Sequence, residues 1–313
     1  MAELTGPAGQ VVTVDIDPDV TTRASTLLAG AGYPAVRVVL ADGEAGVREY
    51  APYDRILVTA GAWDLPPAWT DQLAPVGGRI VVPLRMRGVT RSLARERSGD
   101  GTHLVCRSAE VCGFVKMQGA GAHQERLWLL RGQQVGLRFD DGAPDHLDLP
   151  GAVLGGEPAA AWSGVVVGRA EPFESLPLWL ATSLGGFCAL AADGSGGDPG
   201  LAVEPGGRWF PYAMADGDSF AYLSSRPAGE GRVEFGAYGY GLRAAQAAAE
   251  MAGQVAVWDR IYRGRPGPDI AVWPARTRPD QMRVPGAITA FVTKTHRHVT
   301  ISWPQPGGGQ VSR

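Results

Sequence analysis

Short apolar runs alternate with helical patterns along the first 120 residues. The runs that predict parallel strands are VVTVDI (11–16), VRVVL (36–40), YDRILVTA (53–60) and GRIVVPL (78–84). After the first run, apolar residues at helical spacing predict a helix that Asp19 or Thr21 caps and Gly32 ends. A short helix is predicted at 66–74, and the runs at 90–96 and 104–115 predict an antiparallel hairpin. This alternation favours a doubly wound α/β sheet.

The pattern changes at the glycine-rich segment 117–123, after which no parallel alternation remains. Strands are predicted at 126–132, 134–142, 162–169, 220–225, 233–241 and 299–304, with helices at 173–184 and 242–263. Glycine-rich stretches at 193–200 and 204–207 predict surface loops, and the tail 306–313 is predicted to be disordered. We therefore expect two domains, residues 1–122 and an α+β domain of residues 123–313.

Composition excludes several classes of function. The chain has 313 residues, 45% of them hydrophobic and 19% charged, with a net charge of -3, as in soluble globular proteins. This charge gives no basis for binding nucleic acid or an anionic membrane. No long apolar span or signal peptide is evident, and the three cysteines form no CxxC pair. We expect a cytoplasmic protein with reduced thiols and no metal site.

Acidic residues follow the first two predicted strands. In an open α/β sheet, ligands bind at the carboxyl ends of the strands. Asp15 could there accept hydrogen bonds from ribose hydroxyls, and Asp42, one strand over, could accept an adenine amino group. The alternative is that each is an N-cap or turn aspartate.

These segments carry a family resemblance. Asp42-Gly43, followed ten residues later by YDRILVTA and then by Leu73-Ala74-Pro75 and Gly77-Gly78-Arg79, is similar to protein-L-isoaspartate O-methyltransferases. The segment VCGFV (111–115) resembles that family's final strand, and the likeness covers residues 1 to about 120. A further likeness is to longer, two-domain bacterial members found beside lanthipeptide-type peptide genes.

The resemblance implies a class I methyltransferase that uses S-adenosyl-L-methionine to methylate L-isoaspartyl or aspartyl carboxylates of a protein or ribosomal peptide. Asp15 would bind the ribose with Ile16 beside the adenine, and Asp42 with Gly43 would receive the adenine amino group. Thr59 and Ala60 would form the floor of the substrate carboxylate site. Gln118 and Gln124 lie near the place where the family closes its site with a polar pair.

One departure from the family is large. Its Ser/Thr-rich lid, its first strand and the E-x-G-x-G turn that holds the methionine end of the cofactor have no counterpart here. We therefore expect an incomplete Rossmann-like sheet with two unpaired inner edges, each buried orphan group costing about 1–3 kcal/mol. We also expect the native protein to begin upstream of Met1.

Other functions stay open at this point. The missing turn is consistent with an inactive remnant or a peptide-binding module, with residues 123–313 recognising the peptide. A nicotinamide dehydrogenase would also use an acid after the second strand. His296 and His298 alternate along a strand without a third ligand, so an exposed strand face is favoured over a metal site. Trp63, Trp69 and Trp128 could line a peptide groove, although packing under loops is commoner.

Overall fold

The computed structural model describes residues 1–130, 134–168, 170–192, 201–202 and 212–305. The predicted loops at 193–200 and 204–207 and the predicted disordered tail at 306–313 lie outside the described residues. The α-helices are α1 (Ala2–Thr5), α2 (Pro18–Gly30), α3 (Pro67–Asp71), α4 (Ser175–Ser183) and α5 (Ala244–Ile261).

Strands come first in parallel and then in antiparallel arrangements. In the N-terminal third they are β1 (Val12–Asp15), β2 (Arg37–Leu40), β3 (Arg55–Leu57), β4 (Arg79–Met86), β5 (Val89–Arg97) and β6 (Leu104–Val111). They are followed by β7 (Arg126–Leu130), β8 (Val135–Phe139), β9 (Ala159–Gly168), β10 (Phe187–Ala192), β11 (Tyr212–Asp216), β12 (Ser219–Pro227) and β13 (Arg232–Tyr240). The last three are β14 (Asp269–Pro274), β15 (Ala287–Thr293) and β16 (Arg297–Pro304).

Within the described ranges, these strands form two large sheets and one small one. The first large sheet has the order β15-β16-β14-β6-β5-β4-β3, and the second has the order β7-β8-β10-β11-β12-β13-β9. Strands β1 and β2 pair in parallel as a separate two-stranded sheet. The α/β class, the predicted hairpin of β5 and β6 and the incomplete N-terminal sheet are confirmed.

The main hydrophobic core lies where α4 and α5 meet both large sheets. Val82 and Leu93 of the first sheet, Trp179 and Trp258 of the helices and Phe235 of the second sheet belong to one buried cluster. The buried indole N–H groups have partners, since Trp258 donates to Ser175 Oγ at 2.9 Å and Trp179 donates to the Gln254 carbonyl at 3.0 Å. This shared core fixes the two large sheets relative to each other.

Two details differ from the sequence-based expectation. Helix α2 is capped by Asp17, whose Oδ1 accepts the amides of Asp19 and Val20 at 2.8 and 3.3 Å, and not by Asp19 or Thr21. The reason is Pro18, which lacks an N–H and suits the first helical position. In addition, β14 pairs with β6, so that residues 269–304 extend the N-terminal sheet. The domain boundary after residue 122 stays a prediction.

Candidate functional site

A cleft of about 460 Å³ lies between the small sheet and the β3 edge of the first large sheet. Val12 and Val14 of β1 line one side, and Ile56 of β3 lines the other. Within the described part of the chain, β1 pairs only with β2, and β3 pairs only with β4, so no strand bridges the cleft. All seven predicted site residues line it, namely Asp15, Ile16, Asp42, Gly43, Thr59, Ala60 and Gln118.

Asp15 and Ile16 lie at the carboxyl end of β1. Asp15 Oδ1 accepts the amide of Asp17 at 2.9 Å, which leaves its second carboxylate oxygen available to a ligand. The side chain of Ile16 is 42% exposed beside it. This end of the cleft therefore offers an anionic acceptor next to an apolar surface.

Asp42 follows β2 and is held by two backbone amides. Its Oδ1 accepts from Glu44 at 3.0 Å, and its Oδ2 accepts from Ala120 at 2.7 Å. Gly119, with φ of +73°, allows the second contact, because a Cβ at that position would lie 2.3 Å from Asp42 Oδ2. Each oxygen keeps a further lone pair for a ligand.

The neighbouring backbone is fixed by two buried polar side chains. Trp69 of α3 donates its indole N–H to the carbonyl of Gly43 at 2.8 Å. Gln72 donates to the carbonyl of Ala45 at 2.8 Å. Both side chains also line the cleft, so Trp69 serves as a structural part of this site.

Thr59 and Ala60 follow β3, where segment 115–117 crosses the chain. The amide of Gly61 donates to the Val115 carbonyl at 2.7 Å, and the amide of Met117 donates back to Gly61 at 3.2 Å. This pairing brings Gln118 to the cleft. Gln124 does not line it, so the structure does not bring together the predicted polar pair.

A group of ion pairs, which we term the junction network, adjoins this crossing. Arg85 of β4 pairs with Glu125 and, at 2.8 Å, with Asp140, which follows β8. Lys116 Nζ lies 2.7 Å from Glu125 Oε2, and Arg138 Nε lies 3.7 Å from the same oxygen and 3.8 Å from Asp140. The network thus connects strand β4 to the chain that follows residue 122.

Trp63 lies beside the junction network, between the side chains of His123 and Lys294. Its ring stacks on His123 with centroids 3.8 Å apart, and Lys294 Nζ lies 4.5 Å from its centroid. Asp141 Oδ1 accepts from Trp63 Nε1 at 2.8 Å and from Lys294 Nζ at 2.7 Å. Trp63 therefore packs between the family-like N-terminal segment and the chain that follows residue 122.

Burial lowers the pKa values of three basic groups at this junction. Desolvation lowers the pKa of Lys294, although Asp141 opposes this effect. Desolvation also lowers the pKa of His123, which favours the neutral imidazole near neutral pH. The pKa of Lys116 is lowered by desolvation and by the nearby charges of Arg85 and Arg138.

Sequence comparison shows which known family the cleft-forming segment resembles. The family model described as Protein-L-isoaspartate(D-aspartate) O-methyltransferase (PCMT) matches residues 1–121. Residues 1–121 are thus similar to the protein-L-isoaspartate O-methyltransferase family. The predicted family resemblance is thereby confirmed for this segment, which contains the seven predicted residues that line the cleft. The likeness to lanthipeptide-associated members stays a prediction.

Curated relatives carry the same family name. A protein-L-isoaspartate O-methyltransferase of Methanopyrus kandleri is 40% identical over 126 residues, covering 40% of this chain and 55% of its own length. One of Methanothrix thermoacetophila is 46% identical over 84 residues, covering 27% of this chain and 40% of its own. The chain thus spans about half the length of the curated relatives it matches. A solved protein-L-isoaspartate O-methyltransferase superposes with a TM-score of 0.37 at 17% identity, covering 85% of this chain and 65% of its own, too loose a likeness to support an argument.

The remaining sequence candidates lie elsewhere. His298 Nε2 is 2.8 Å from the carbonyl of Ala275, and His296 Nε2 is 4.0 Å from Glu44 Oε1. No metal-binding group of three or more His, Cys, Asp or Glu side chains occurs among the described residues. No helix in the described ranges is long and apolar enough to cross a membrane. Cys106, Cys112 and Cys188 are free thiols.

Proposed function

We propose that this chain is an S-adenosyl-L-methionine-dependent carboxyl O-methyltransferase acting on L-isoaspartyl or aspartyl residues of a protein or ribosomal peptide. The observation that carries the proposal is the meeting of Asp15 and Asp42 in one cleft, at the ends of neighbouring parallel strands. This cleft is built by the family-matched segment. Its volume falls within the range of about 300–1,000 Å³ that is usual for small-molecule sites.

The residues present fit the adenosine part of the cofactor. Asp15 would accept hydrogen bonds from the ribose hydroxyls, and Asp42 would accept the adenine amino group. Ile16 would pack on the adenine ring. Gly119 supports this arrangement, because the absence of a Cβ lets the chain close over Asp42 and Ile16.

Methylation of a carboxylate asks little acid–base chemistry of the protein. When bound, S-adenosyl-L-methionine would supply an electrophilic methyl group. The acceptor carboxylate is already a nucleophile, so the chain must orient it and exclude water. We assign that task to the backbone at Thr59 and Ala60 and to Gln118, which line the same cleft.

The proposed function includes a role for residues 123–313 and a cellular compartment. We propose that residues 123–313 serve a dedicated peptide substrate and that the protein acts in the cytoplasm. Support comes from the junction network, which joins these residues to the family-matched segment, and from the free thiols, which are typical of a reducing compartment.

An inactive peptide-binding module is the second candidate. It is favoured by one observation, that β1 and β3 face the cleft without a strand between them. Peptide binding without affinity for the cofactor product would support this candidate over the methyltransferase.

The deciding experiment is calorimetric titration of the 313-residue chain with S-adenosyl-L-homocysteine, followed by methyl transfer to an L-isoaspartyl peptide. We expect binding that Asp15→Asn and Asp42→Asn each weaken about tenfold or more, because each removes a charged acceptor. Asp19→Asn is the matched control, since Asp19 is exposed on α2 and does not line the cleft. A chain that does not bind, or binding unaffected by both cleft variants, would contradict the proposal.

A further inference from the structure

The junction network carries an excess of positive charge. It contains three basic side chains, Arg85, Lys116 and Arg138, and two carboxylates, Glu125 and Asp140. One positive charge therefore remains without a counter-charge inside the network.

The excess positive charge is most accessible to solvent and to ligands at Lys116. The side chains of Arg85, Glu125 and Asp140 are 7%, 9% and 2% exposed, so no large ligand reaches them. The side chain of Lys116 is 57% exposed, against 39% for Arg138. Lys116 also lines the cleft, whereas Arg138 does not. An anion entering the cleft would therefore meet the ammonium group of Lys116.

Lys116 is held in place, but not all of its hydrogen-bond donors are used. Its backbone neighbours Val115 and Met117 are both hydrogen-bonded to Gly61. Its ammonium group donates to Glu125 at 2.7 Å. An ammonium group has three donors, so two remain for a ligand. Glu125 thus restricts where the ammonium lies and leaves it able to bind another carboxylate.

We propose that Lys116 binds a second carboxylate of the polypeptide substrate, next to the acceptor carboxylate, and so makes the site selective for acidic peptide segments. This inference rests on the proposed function for the identity of the acceptor. A cation placed directly on the acceptor oxygen would withdraw electron density from the nucleophile and oppose methylation. The favourable place for Lys116 is therefore on a neighbouring acidic side chain.

The test uses short peptides with blocked termini and one L-isoaspartyl residue, flanked by Glu, by Gln or by Lys. Dissociation constants are measured by calorimetry on the full chain and on Lys116→Gln and Lys116→Arg. We expect the wild type to bind the Glu peptide about three- to tenfold more tightly than the Gln peptide, and the Lys peptide most weakly. Lys116→Gln should abolish the preference, and Lys116→Arg should retain it.

Two controls separate a local contact from a general effect of charge. Arg260→Gln removes one positive charge at an exposed position on α5 and should leave the preference intact. The preference should also decline as salt is raised, because the contact is solvent-exposed. Equal binding of the Glu and Gln peptides by the wild type, absence of peptide binding, or a preference that survives Lys116→Gln would overturn the proposal.

The same samples distinguish this inference from the proposed function. Binding of S-adenosyl-L-homocysteine and methyl transfer are measured alongside peptide affinity. A Lys116-dependent preference for the Glu peptide without methyl transfer would support the carboxylate site and contradict the methyltransferase. Methyl transfer to the Glu and Gln peptides with equal KM would support the methyltransferase and contradict the carboxylate site.

Discussion

Replacing Asp140 by Asn should destabilise the protein strongly, although the two side chains have almost the same shape. The Asp140 side chain is 2% exposed, and its oxygens accept from Arg85 at 2.8 Å and from the Gly88 amide at 3.1 Å. The amide of Asn would direct an N–H₂ group at one of these donors. The substitution also removes half of the negative charge that offsets the buried guanidinium of Arg85.

The magnitude follows from how much compensation remains. Breaking a buried ion pair costs about 3–5 kcal/mol when the partner is left uncompensated. Glu125 still pairs with Arg85 in the variant, so we expect a smaller loss than that range, about 2–3 kcal/mol in the free energy of unfolding. Asp259→Asn is the matched control, because it breaks a partly exposed pair between Asp259 of α5 and Arg263, just after the helix, and should cost about 0.5 kcal/mol.

Urea unfolding, followed by tryptophan fluorescence, measures both variants. The midpoint should fall much further for Asp140→Asn than for Asp259→Asn, with similar slopes. If the two variants differ by less than about 0.5 kcal/mol, the reasoning that the junction network is a buried and interdependent set of charges is refuted.

Two further predictions concern single positions. Gly119→Ala should weaken S-adenosyl-L-homocysteine binding, measured by calorimetry, more than Gly101→Ala does, because both glycines have φ near +70° but only at Gly119 would a Cβ meet Asp42. Arg95→Met should raise the free energy of unfolding by about 1–3 kcal/mol at pH 7, since the buried Arg95 guanidinium has no hydrogen-bond partner among the residues that the structure describes. An unchanged free energy of unfolding in urea would contradict this.

The Arg95 effect has a definite pH dependence. Burial lowers the pKa of Arg95 from its ordinary value to about 10 in the folded protein. Between these values the unfolded chain binds more protons, so the stability of the wild type rises with pH in that window. The advantage of Arg95→Met should therefore be full below pH 10 and shrink above it.

Much of the cleft could be predicted from sequence because its residues follow strands. Parallel strands present their carboxyl ends at one edge, so Asp15 and Asp42 were expected to share a site, and both line the cleft. The backbone contact of Asp42 with Ala120 could not be foreseen, because it joins positions 78 residues apart. Local pattern carries no information about such a pairing.

The junction network could not be predicted from the sequence, because the sequence pattern contains little information about it. Arg85 and Asp140 are 55 residues apart. Arg85 lies near the end of β4 and Asp140 directly follows β8, and the apolar pattern of these strands predicts only burial. One compositional hint existed, because lysine is rare in this sequence. Both lysines, Lys116 and Lys294, pair with carboxylates at this junction. The extension of the first sheet by β14 was missed for the same reason of long-range pairing.

The sparse packing of the first fifty residues has a consequence for affinity. Thr21 is the only buried residue among them, and Leu27 of α2 is 63% exposed. A segment that buries so little apolar surface opens locally while the remainder stays folded. A ligand that requires Asp42 beneath the Ala120 amide binds only the closed population, and its observed affinity is reduced by the closed fraction. Substitutions of exposed α2 residues that do not line the cleft, such as Leu27, should therefore change how tightly the ligand binds.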